Sequence, residues 1–192
     1  MTASSAQIRA PLTKAIVELM DQRMPESARA VRARVPREIE RVEGASRMDW
    51  IDLSVQLAIL DAIYSEVGMR RWEQFVSAHF SSTVEQPFVR SMFETSVRLF
   101  GMSPAAVFKV FAKTWATISR GCGDVTIGEV DPRATTIRVT GLPVDQEHID
   151  LFVRGFRATF KGVLDVFKST GDVEFVSFDR ASRTSVYCTR WS

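Results

Sequence analysis

Apolar residues recur at helical spacing through the first half of the chain, then switch to alternation at two places in the second half with another helical stripe between them. Ile8, Leu12, Ile16, Val17, Leu19 and Met20 share one side of a first helix, which is broken or begun at Pro11. Glu26 to Glu43 predicts one or two exposed helices interrupted at Pro36, with Arg29, Arg32, Arg34, Arg37 and Arg41 set among Glu26, Glu38, Glu40 and Glu43. An apolar helix is expected from near Asp49, carrying Trp50, Leu53, Leu57, Leu60, Ile63, Tyr64 and Val67 and capped by Gly68. A shorter helix over Arg70 to Phe80 carries Trp72, Phe75, Val76 and His79. Ser81, Ser82 and Thr83 then offer capping hydroxyls for a further helix to Phe100, with Pro87 in its first turn.

The second half has a simpler rhythm. Ser103-Pro104 opens a helix to Arg120 with Val107, Phe108, Phe111, Trp115 and Ile118 on one face, and Gly121 and Gly123 end it. Val125 and Ile127, then Ile137 and Val139, alternate with polar residues about Asp131-Pro132-Arg133, which predicts a hairpin with one wet face. Asp145 caps a long helix to Lys168, striped by Ile149, Phe152, Val153, Phe156, Phe160, Val163, Leu164 and Phe167. After Gly171, Val173 to Phe178 and Thr184 to Trp191 supply a second hairpin. Nothing repeats at a fixed period. The order predicts an α+β fold, a helical layer packed on a four-stranded antiparallel sheet, with residues 1–47 as an N-terminal helical extension and 48–192 as the main domain.

Composition narrows the function classes. The 192 residues are 45% apolar and carry a net charge of +2 with the two signs interspersed. That field argues against nucleic acid or an acidic membrane as the main partner. The arginines of Glu26 to Glu43 have glutamate partners three and four residues away, as in a solvated helix. Cys122 and Cys188 form neither a zinc motif nor a disulfide framework. With no signal-peptide pattern and no run long enough to cross a bilayer, a cytoplasmic protein is expected.

Candidate chemistry is sparse. His79 and His148 are the only histidines. His148, beside the apolar stripe, is the one candidate ligand for a metal or haem iron, but a helix start after Asp145 and Glu147 is usually exposed, and no partner ligand stands at suitable spacing. No nucleophile elbow is present. Cys122 between two glycines reads as a turn residue, although its neighbour Arg120 could lower the thiol pKa, which leaves a reactive or acylated cysteine as the lesser alternative. No catalytic residue, metal site or cofactor is expected. The aromatic excess remains, thirteen phenylalanines and four tryptophans. Core packing accounts for most of them. Small residues between the rings, Ala112, Ala116, Gly155, Ala158 and Gly162, allow either close helix contact or a cavity.

From Asp49 onward the chain resembles, in element order, the superfamily that includes the four-vinyl-reductase domain, the haem nitric-oxide-binding domain and the Bet-three-like subunits of the TRAPP vesicle-tethering complex. Within that group it looks most like a paralogous myxobacterial family of unknown function. The resemblance rests on Arg98-Leu99-Phe100-Gly101 before Ser103-Pro104, the hairpin Asp124 to Gly141, the helix with Gly155 and Gly162 ending in Ser169-Thr170-Gly171-Asp172-Val173, and the closing Tyr187-Cys188-Thr189-Arg190-Trp191. Haem sensors of this group hold haem with a proximal histidine and a Tyr-x-Ser-x-Arg clamp. Neither Tyr187-Cys188-Thr189-Arg190 nor Arg183-Thr184-Ser185 reproduces that spacing, which argues against haem. The resemblance implies a Bet-three-like fold and a non-enzymatic module that binds or senses a hydrophobic small molecule or acyl chain, expected here between Phe93, Phe111, Trp115, Phe156 and Phe160. The alternative is a scaffold subunit with a filled core that pairs as a homodimer or with another protein.

Overall fold

A computed structural model describes residues 6–84, 104–131 and 133–192. Strand β1 (Gln7–Arg9) leads into helices α1 (Ala10–Arg23), α2 (Pro25–Arg34) and α3 (Pro36–Gly44), followed by β2 (Trp50–Asp52) and α4 (Leu53–Val84). Then come α5 (Pro104–Ile118), β3 (Ser119–Arg120), β4 (Asp124–Asp131), β5 (Ala134–Thr140), α6 (Ile149–Val166), β6 (Gly171–Asp179) and β7 (Thr184–Trp191). The expected α+β architecture is present. β4, β5, β7 and β6 form, in that order, a four-stranded antiparallel sheet covered by helices.

The first three helices each carry proline in their opening turn, where no amide partner is missed. Pro36 therefore starts α3. On these helices Ala28, Val31, Ile39 and Val42 are buried while the arginines point outward. Arg32 is gripped by Asp21 at 2.6 Å and Glu43 at 2.7 Å, and these hydrogen bonds hold its guanidinium above its ordinary pKa. Arg41 likewise pairs with Asp52, and Arg29, Arg34 and Arg37 are exposed, so the basic face is solvated and its ion pairs are of small energetic worth.

The expected helix start near Asp49 is corrected by the structure. Trp50 lies in β2, and the helix begins at Leu53. The cause is pairing at long range: β1 lies between β2 and β3, with Ile8 opposite both Ile51 and Ser119. The same three-stranded sheet takes Ser119 and Arg120 out of the helix predicted to reach Arg120. Trp50 sits between the guanidiniums of Arg9, 4.1 Å from its ring centroid, and Arg120, 3.9 Å away. This pairing also crosses the expected boundary at residue 47.

Gly68 interrupts α4 as expected, at φ 73° and ψ 168°. The two halves are rejoined by Trp72, whose buried indole donates to the Leu60 carbonyl at 3.0 Å. Ser82 and Thr83 do not cap a new helix here. They donate back to the His79 carbonyl, and the helix continues to Val84. The predicted helix to Phe100 lies outside the described residues.

Two apolar clusters meet at α6. Phe152, Phe156, Phe160 and Val163 face the sheet together with Phe108 and Tyr187, whereas Leu151 and Ala158 join α1 to α4. Asp145 does not cap this helix. It begins at Ile149 after His148 in a left-handed conformation, φ 62°. Tyr187 Oη donates to the Val153 carbonyl at 2.7 Å, and Arg157 Nε to the Val173 carbonyl at 2.8 Å, so the sheet is tied to the helix along its length.

The two glycines of α6 do opposite things. A Cβ at Gly162 would lie 2.7 Å from the Ser77 carbonyl oxygen, so close helix contact forbids one; at Gly155 it would meet Trp72 at an ordinary 3.7 Å. Gly162→Ala is expected to lose ~1–3 kcal/mol through overpacking. Gly155→Ala is expected to be neutral or gain ~0.5–1 kcal/mol from lost glycine entropy. Urea unfolding followed by circular dichroism checks both; equal effects at the two positions would contradict this packing.

Candidate functional site

Beside Gly155, between α6 and helices α1, α4 and α5, lies a cavity of about 130 Å³. Its walls come from Ile8 of β1, Leu12 and Ile16 of α1, Gln56 to Thr83 of α4, Phe111 to Ile118 of α5 and Leu151 to Thr159 of α6. An apolar cavity of ~150 Å³ is large enough to hold benzene, so this one suits a single ring or a short aliphatic chain.

The expected site residues converge, with one displaced from the wall. Phe111 stacks on Trp115 with centroids 6.0 Å apart, and Trp115 meets Phe156 edge-on at 5.1 Å; all three line the cavity. Phe160 is fully buried behind them, 5.3 Å from Phe111 and 5.2 Å from Tyr187, and serves the core. Phe93 lies outside the described residues. Trp115 is fixed by its indole, which donates to the Gly123 carbonyl at 2.9 Å.

The sequence reading missed the polar members of the wall. Gln56 has 9% of its surface exposed and accepts a hydrogen bond from Thr13 Oγ1 at 2.9 Å. A signal was available: Gln56 sits three residues after Leu53 and four before Leu60, on the buried face of its helix. His79, on the same wall, has Nε2 3.1 Å from the Leu12 carbonyl, so the neutral ring donates from Nε2 and keeps Nδ1 as an acceptor. Burial pushes this imidazole down to about 4.

The other candidates are removed from the cavity. His148 stands half-exposed at the start of α6, with Nδ1 3.3 Å from Asp61 Oδ1. Cys122 is buried, its thiol directed to the Gln7 and Arg120 carbonyls, and burial pushes it up to about 11. The expected lowering by Arg120 is therefore corrected: desolvation outweighs the contacts to the Arg120 and Gln7 main chain, and the thiol stays protonated. A groove beside Arg157 and Cys188 is open and charged, with Arg157 paired to Glu73 at 2.8 Å. No group of three potential metal ligands occurs among the described residues. No helix among them is long and apolar enough to cross a membrane.

Comparison with solved structures resolves the architecture. A mutant Cs H-NOX carrying 4-cyano-L-phenylalanine matches with a TM-score of 0.68 at 11% identity, over 96% of this chain and 97% of that one. An oxygen-binding H-NOX domain related to soluble guanylate cyclases, in its oxygen complex, gives 0.67 at 10% identity over 96% and 95%. The Fe(II) unliganded H-NOX protein from K. algicida gives 0.59 at 10% identity over 96% and 97%. The fold is H-NOX-like. At these identities the likeness concerns the fold alone. No protein-family model matches the sequence, and no curated protein matches it.

The described residues of this H-NOX-like fold do not fit a haem. The cavity takes one ring where a porphyrin carries four, its described wall holds no arginine or lysine to meet haem carboxylates, and the Nε2 of its histidine is occupied by the Leu12 carbonyl.

His79 also gives the fold a pH dependence. The unfolded chain protonates this residue near 6.5 and the folded chain near 4, so between those values the unfolded state binds more protons. The stability contributed by the neutral ring is full above about pH 6.5 and is lost as pH falls to about 4, by ~1–3 kcal/mol. In His79→Gln the loss of stability between pH 6.5 and pH 4 is expected to be smaller than in the unmodified protein. Unfolding curves across that range test this, and superimposable pH profiles would refute it.

Proposed function

We propose that this chain is a non-enzymatic binding or sensing module that takes a small apolar molecule, or the end of an acyl chain, in the cavity between α1, α4, α5 and α6. The observation that carries the reading is the cavity itself, apolar and ring-sized, held inside a fold whose solved neighbours include an oxygen-binding domain. Phe111, Trp115 and Phe156 act as its rigid wall, and Phe160 holds them from behind. The described residues do not fit haem as the guest. The scaffold alternative requires a filled core, whereas a cavity of about 130 Å³ lies beside Gly155.

Binding would stabilise the fold by mass action, by about 2.7 kcal/mol at a hundredfold excess over Kd. For a chain of this length that is a rise in Tm of ~5–10 °C. Protein stripped of bound lipid is expected to show such a rise with benzene, toluene or 1-octanol, and Gly155→Leu, which fills the cavity, to abolish it. An unchanged midpoint across the panel would sink the proposal. Native mass spectra of the same samples report the alternative directly, as a guest-free dimer. Added haemin is expected to pass through gel filtration unbound; a retained Soret band would overturn the exclusion of haem.

A further inference from the structure

We infer that the guest carries a neutral carbonyl group, read by the side-chain amide of Gln56. This rests on the cavity being a binding site and concerns its chemistry.

The described wall is neutral throughout. No Lys, Arg, Asp or Glu contributes to it, and burying an ionised guest without a partner is costly. Recognition therefore falls to the few polar groups among the rings. Gln56 is nine-tenths buried and borders the cavity. Thr13 Oγ1 donates to its Oε1 at 2.9 Å, which leaves Nε2 as the remaining end of the amide. No described residue accepts a hydrogen bond from Nε2. Two N–H donors are thus held on the wall of an apolar chamber, and an unpaired donor in such surroundings favours an incoming acceptor. A ketone, aldehyde or ester oxygen meets that demand with no donor of its own to satisfy, while the aromatic wall takes the hydrocarbon remainder.

The test uses three guests of one skeleton, cyclohexanone, cyclohexanol and cyclohexane, titrated against the unmodified protein and Gln56→Leu. Gln56→Leu is expected to weaken cyclohexanone about tenfold and to leave cyclohexane within about twofold. In the unmodified protein the carbonyl stretch of bound cyclohexanone should move to lower frequency, and the Gln56 side-chain amide resonances should shift with the ketone and not with cyclohexane. These two signals decide the matter even if Gln56→Leu fails to fold. Equal weakening of ketone and hydrocarbon, or no weakening of either, would show a packing effect and overturn the inference. A larger loss for cyclohexanol would assign a hydroxyl guest and overturn it too. If benzene raises Tm while the ketone gives neither signal, the carbonyl assignment fails and the cavity stands. If no guest binds at all, the binding site falls and the inference with it.

Discussion

The structure depends on one helix that is buried on two faces at once. Ile149–Val166 is pressed against the four-stranded sheet on one side and against α4 on the other, so its ring-bearing face and its small-residue face are both removed from water. A helix enclosed in this way must satisfy two surfaces with one sequence, and it does so by dividing labour around the turn: phenylalanines toward the sheet, glycine and alanine toward α4. Each phenylalanine so enclosed contributes ~1.5–3 kcal/mol of transfer free energy. Tyr187 and Arg157 then pin the helix to the strands through main-chain carbonyls.

The cavity follows from that constraint. Where α6 needs close contact with α4, at Gly162, the backbone of Ser77 fills the space a side chain would take; seven residues earlier, at Gly155, the nearest group is the Trp72 ring at an ordinary 3.7 Å, and the cavity lies beside it. Large, stiff rings on α5 and α6 cannot collapse into the gap, because Trp115 is held by Gly123 and Phe160 by Tyr187. The void is thus maintained by the same contacts that make the core rigid.

Much of this was legible in the chain. The four strands and their antiparallel pairing follow from period-two alternation bounded by turn residues, and the aromatic residues of α5 and α6 announce their meeting by spacing alone. What escaped is what depends on distant partners. Trp50 and the Ser119-Arg120 pair lie in helical patterns, yet β1 draws both into a sheet with partners 41 to 113 positions from its own residues, a pairing no local pattern encodes. Cys122 shows the same limit in chemistry: its neighbour in sequence is a cation, whereas its environment is the buried carbonyl of Gln7. Gln56 was readable as a polar residue on a buried face, but its purpose emerges only when Thr13 takes one end of its amide.

That long-range pairing also sets an order of assembly. β1 is synthesised before both of its partners, and its second edge stays unpaired until Ser119 and Arg120 have been made. At the usual rate of chain growth the interval is on the order of ten seconds. During it Ile8, part of the cavity wall, lacks half of the sheet that anchors it. The cavity wall is completed later still, when α6 follows, so residues from both ends of this order of synthesis meet in one wall.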